Sequence, residues 1–133
     1  MDNILEYVKD RERIKYIWTE KYTWDELSNI EKDNLIAIFV RKLDSLVGKE
    51  PNIDWYDNMY FEGWFNYTTN LHDALNIAKI LTKNNDLQFA MKHNGNEYMC
   101  CFHNITEKPV YSYCKTLEEA ICLAALRHCG IKI

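Results

Sequence analysis

The run from Asp86 to Tyr113 limits the fold of this chain more than any other stretch. Leu87, Phe89 and Met91 alternate with Gln88, Ala90 and Lys92, so a strand here carries one apolar and one polar face. Asn94-Gly95 follows, a pair that tolerates the positive φ of a tight hairpin, and Glu97–His103 returns as a second strand. Val-Tyr-Ser-Tyr after Pro109 supplies a third. Short antiparallel strands joined in this way must bury one face, and helices are the remaining material that can cover it.

Those helices are legible from their ends. Met1 to Tyr22 mixes charge with Ile4, Leu5, Val8, Ile14, Ile17 and Trp18, the pattern of an amphipathic helical extension. Thr23-x-x-Glu26 and Ser28-x-x-Glu31 are capping boxes. A main helix is expected from there to about Val47, burying Leu35, Ile38, Phe39, Leu43 and Leu46, with Ile36 and Val40 widening the stripe. Gly48 and Pro51 end it. Thr69-Asn70 caps a helix over Leu71 to Thr82, with Leu71, Ala74, Leu75, Ala78 and Leu81 expected inside and Ile77 and Ile80 flanking. Thr116-x-x-Glu119 opens the last helix, where Ala120, Ile121, Ala124 and Ala125 permit close packing between Leu117 and Leu126, and Gly130 closes it. The expected fold is α+β: a small antiparallel sheet of three to four strands in a layered sandwich with helices. Residues 1–22 form the N-terminal helical extension and 23–133 the domain.

Composition narrows the function. A chain of 133 residues has room for one core. A net charge of −4 argues against direct nucleic-acid binding, since neutralising phosphates takes an excess of Lys and Arg. No apolar run approaches the roughly 20 residues of a membrane span. Met-Asp-Asn-Ile-Leu-Glu lacks a signal-peptide pattern, which predicts a cytoplasmic protein. The five cysteines, Cys100, Cys101, Cys114, Cys122 and Cys129, are odd in number and irregularly spaced, and read as buried thiols. Cys100, His103 and Cys114 could assemble a zinc site, but no CxxC pair is present, so neither metal nor cofactor is expected.

No constellation in the sequence identifies a reaction. His72, His93, His103 and His128 fall on separate elements, and Cys101 with His103 is a pair two residues apart on one strand. There is no GxSxG, HExxH or Walker-A pattern, so a non-enzymatic protein is expected. Pro51 to Tyr67 is the least ordinary stretch, with Trp55, Tyr56, Tyr60, Phe61, Trp64, Phe65 and Tyr67 among acids. Trp and Tyr anchor binding surfaces and stack on nucleobases. Trp55, Tyr56, Tyr60 and Trp64 are therefore candidate ligand- or partner-binding residues, with Arg41 and Lys92 as candidate partners for phosphate.

From about Thr23 to Leu126 the chain resembles the phage ABA-sandwich domain, a family of small phage and prophage proteins of unknown function. The opening helix from Ile30 to Gly48 and the helix entered through Tyr-Thr-Thr-Asn at 67–70 are similar to the family's. Most specific is Thr-Leu-Glu-Glu-Ala-Ile-Cys-Leu-Ala-Ala-Leu at 116–126, close to the family's final helix, which usually has Arg where Leu123 stands. The resemblance implies a phage setting in the cytoplasm of a host bacterial cell, and no catalytic residues. That setting together with the aromatic stretch Pro51 to Tyr67 leads us to expect a binding protein that counteracts host immunity by sequestering a small nucleotide-like signal. The alternative is an anti-CRISPR-like inhibitor of a host defence protein such as a nuclease, with the acidic surface mimicking nucleic acid. Sheet edges and the N-terminal arm also offer surfaces for a homo-oligomer.

Overall fold

Every residue from Ala120 to Leu126 is buried, and this places the last helix at the centre of the molecule. The computed structural model describes residues 23–41, 66–83, 86–104, 106 and 108–133. Helix α3 (Leu117–His128) is apolar around its whole circumference, so it needs cover on all sides. The sheet gives that cover on one side. Strands β1 (Gln88–Asn94), β2 (Glu97–His103) and β3 (Val110–Cys114) pair antiparallel in the order β1-β2-β3. The fold is thus α+β, as the strand pattern and the caps predict.

Register assigns the two faces of the sheet. Phe89 lies opposite Phe102, Cys100 opposite Ser112, and Tyr98 opposite Cys114. These residues face α3, and the rings of Phe89 and Phe102 meet at 5.1 Å between centroids. Gln88, Ala90, Lys92, Met99, Cys101, Tyr111 and Tyr113 share the other face by the two-residue alternation. The hairpin turn sits one residue later than the Asn-Gly pair suggests. Asn94 still pairs with Glu97, and Gly95, at φ 62°, is the first turn residue.

On the far side of α3 lie α1 (Asn29–Leu35) and α2 (Leu71–Leu81). The expected uninterrupted main helix changes after Leu35 into a π-helical turn over Ile36–Val40, in which the Arg41 N–H donates to the Ile36 carbonyl at 3.0 Å. The wider turn lets Ile36, Ala37, Phe39 and Val40 all reach the core. Its expected continuation to Val47 lies outside the described residues, as does the 1–22 extension. Helix α2 corrects the expected inner face. Ala74, Ile77 and Ala78 are buried, while Leu71 and Leu75 are 41% and 37% exposed. Apolar residues occur on most sides of α2, so spacing alone could not choose between adjacent stripes. The two alanines flanking Ile77 permit the closer approach to α3.

Polar contacts fix how the layers sit. Ser112 Oγ, fully buried, donates to the Ala120 carbonyl at 2.6 Å, and Arg127 Nη1 donates to the Tyr111 carbonyl at 2.8 Å. Both tie β3 to α3. Lys32 Nζ on α1 donates to Glu119 Oε1 on α3 at 2.5 Å and lies 4.8 Å from the Trp24 ring centroid. Thr116 Oγ1 accepts from the Glu119 N–H at 3.3 Å and caps α3. At the other end Gly130, at φ 91°, lets the Ile131 N–H reach the Leu126 carbonyl at 3.0 Å.

Two substitutions separate these contributions. Leu126→Ala removes a fully buried side chain and is expected to cost about 2–5 kcal/mol in denaturant unfolding. Gly130→Ala meets open space but forces a positive φ on a residue with a Cβ, and is expected to cost about 1 kcal/mol. Equal losses would refute the central role of α3.

Candidate functional site

The π-helical turn ends at Arg41, an exposed residue. Arg41 Nη1 donates to the hydroxyl of Tyr67 at 2.9 Å. Tyr67 is itself buried, and loss of solvent raises its pKa above 10.0 despite the nearby guanidinium, so it stays a neutral phenol. Arg41 and Tyr67 form one wall of an open cleft of about 280 Å³. Helix α2 forms the other. Asp73, Asn76, Ile77 and Ile80 recur at helical spacing along it, with Lys79 beside them. The cleft thus holds two cations, one carboxylate, one amide and an aliphatic strip.

The turn carrying Tyr67 is fixed from beneath by Asp33. This α1 carboxylate is 3% exposed, and its Oδ1 accepts from both the Thr68 N–H and the Thr68 hydroxyl, each at 2.9 Å. The Tyr67 N–H also favours the ionised form. Burial nevertheless dominates and pushes Asp33 up from 3.8 to about 6. Two residues beyond Thr68, Asn70 Oδ1 accepts from the Asp73 N–H at 3.1 Å and starts α2. The orientation of both walls therefore descends from one short turn.

The other sequence candidates lie elsewhere. Lys92 is exposed on the sheet face turned away from α3, while α2 packs on the far side of α3. Strand alternation thus keeps Lys92 from converging with Arg41. Arg127, a further cation and candidate partner for phosphate, donates to the Tyr111 carbonyl. Trp55, Tyr56, Tyr60 and Trp64 lie outside the described residues, as do Phe61 and Phe65. Cys100 and Cys114 face α3, whereas His103 is on the opposite sheet face, so the three do not form one ligand set. Among the described residues, no three His, Cys, Asp or Glu side chains group to hold a metal ion. No disulfide joins the five cysteines, and burial raises Cys100 and Cys114 to about 12, with Cys101 and Cys122 also raised. The sequence reading missed Asp73, Asn76, Lys79 and Ile80. Their signal was a mixed polar and apolar stripe along α2, next to a helix end bearing Arg41.

A family model for the phage ABA sandwich domain matches residues 12–126. The chain belongs to that family. The match takes in the sheet and both walls of the cleft of this phage ABA sandwich domain. No curated protein and no solved structure matches the chain. No helix among the described residues is long and apolar enough to cross a membrane.

Asp33 gives this sandwich domain a distinct pH dependence. Its folded pKa of about 6 lies above the ordinary 3.8, so the folded state prefers the protonated acid. That contribution is complete below about pH 4 and is lost as pH rises through 6, a swing on the order of 2–3 kcal/mol. Asp33→Asn keeps an acceptor for Thr68 and is expected to flatten the stability profile across this window. Asp33→Ala leaves the Thr68 donors unpaired and should cost about 1–3 kcal/mol at neutral pH. An Asn variant with the wild-type slope would exclude Asp33 as its source.

Proposed function

We propose that this phage ABA sandwich domain is a non-catalytic binding protein that counters host immunity by sequestering a small nucleotide-like signal. The observation that carries the reading is the cleft in which Tyr67 holds the Arg41 guanidinium, lined also by Lys79 and by the exposed aliphatic Ile80. A planar guanidinium suits a phosphate, and an aliphatic strip suits the face of a ring. Non-catalysis is supported by the chemistry of the reactive groups. A thiol needs its thiolate to attack, and burial keeps these protonated. The buried Asp33 is committed to Thr68. The family setting supports a phage context for the sequestration.

A second reading is blockade of a host defence nuclease through protein contacts. It is favoured by Tyr111 and Tyr113, which are 44% and 60% exposed on the outward sheet face, since tyrosines anchor protein interfaces.

Denaturing the purified protein and identifying released small molecules by mass spectrometry tests the first reading. A stoichiometric nucleotide-like compound is expected from the wild type. Arg41→Ala should retain less of it at an unchanged melting temperature, because Arg41 is exposed. A wild-type protein that releases nothing and binds no added nucleotide would overturn sequestration. Retention of a host nuclease by the same protein, lost on Tyr113→Ala, would put the second reading in its place.

A further inference from the structure

The cleft contains a carboxylate where a plain phosphate site would have none. Asp73 lines the same space as Arg41 and Lys79, and lies close enough to Tyr67 to raise the pKa of its phenol. A carboxylate beside a phosphate is repulsive, so a ligand that is anionic throughout gains from the cations and loses at Asp73. A ligand that is anionic at one end and presents hydroxyl donors at the other gains at both. Asp73 accepts only, and Asn76, one turn along α2, both donates and accepts. Together they suit a vicinal pair of hydroxyls. Ile80, 44% exposed, continues the same stripe and offers an aliphatic surface beyond the amide.

Size restricts the ligand further. At about 280 Å³ the cleft lies at the lower edge of small-molecule sites, which run from roughly 300 to 1,000 Å³. Its walls hold about one nucleotide unit, and any further unit would project through the open side.

We propose that the cleft selects a single ribonucleotide unit, with phosphate at Arg41 and Lys79, the ribose diol at Asp73 and Asn76, and the base against Ile80. This rests on the sequestration reading and names the class of ligand it takes. Asp73 is the residue that distinguishes ribose from a sugar lacking the diol. Its place in the first turn of α2 also suits the helix dipole, but that role is indifferent to the sugar.

The test is calorimetric titration of the full chain with the four ribonucleoside monophosphates, their dideoxy counterparts, ribose phosphate and inorganic phosphate. The best ribonucleotide is expected to bind about tenfold more tightly than its dideoxy counterpart, the factor expected for a lost hydrogen bond to a charged acceptor. Ribose phosphate should bind more weakly than the nucleotide, because it leaves the aliphatic strip uncovered. Asp73→Asn, which keeps a neutral and weaker acceptor, should reduce the discrimination while holding or improving the affinity for dideoxynucleotide, and Asp73→Ala should abolish it. Equal binding of ribo and dideoxy forms overturns the assignment of Asp73 and leaves sequestration standing. Equal binding of ribose phosphate and nucleotide overturns the base subsite. An Asp73→Asn variant that weakens both sugars alike reduces Asp73 to a structural residue and overturns the proposal. Binding of none of these probes, with no ligand released on denaturation, sinks both this inference and the sequestration reading.

Discussion

The burial of α3 on every side is the constraint on which the other elements depend. A helix that is apolar all round has no face to offer water, so it requires a layer above and a layer below. The sheet provides one through Tyr98, Cys100 and Phe102, and α1 with its π-helical turn and α2 provides the other. Ala120, Ala124 and Ala125 let these neighbours approach closely, and close-packed contacts fix position as well as stability. The cleft inherits that precision, because Ile77, fully buried in the core, fixes the helix that carries Asp73, Asn76 and Ile80 along the cleft.

Two adjacent residues on α1 convert packing into register. Lys32 reaches Glu119 on α3, and Asp33 reaches the turn at Thr68. Neither charge gains much from being buried, since desolvation offsets most of the attraction. The rise of Asp33 to about 6 shows the residual penalty directly. What these contacts supply is geometry. Hydrophobic burial would tolerate small rotations of α2, whereas a carboxylate gripping both the N–H and the hydroxyl of Thr68 permits one placement of Tyr67 and hence of Arg41.

The parts of the fold visible in the sequence are those governed by local chemistry. The strand alternation of Leu87 to Lys92, the Thr116 and Asn70 caps and the Gly130 stop depend on neighbouring residues, and the structure places each close to where the sequence puts it. The errors arise where tertiary contact decides between local equals. Leu71 and Leu75 are as apolar as Ile77, and only the fit against α3 selects the Ala74–Ala78 stripe. The π-helical turn over Ile36–Val40 is not distinguished from an α-helical turn by apolar spacing, yet it sets where Arg41 emerges. The candidate site divides in the same way. Arg41 was legible as a free cation, but its alignment with Tyr67 and the α2 stripe spans 26 residues of sequence and exists only in the fold.

That division bears on what family membership can say about function. The residues that build the sandwich, such as Ala120, Ala124, Leu126 and Ile77, are buried and constrained by volume. Arg41, Asp73, Asn76 and Lys79 have side chains that stay out of the core, so exchanging them leaves the layers intact. A domain of this fold can therefore change its ligand without changing its architecture. Under the proposed reading, recognition in this chain is set by its own cleft, where the opposition of Asp73 to Arg41 and Lys79 would penalise simple anions and favour one that also carries donors.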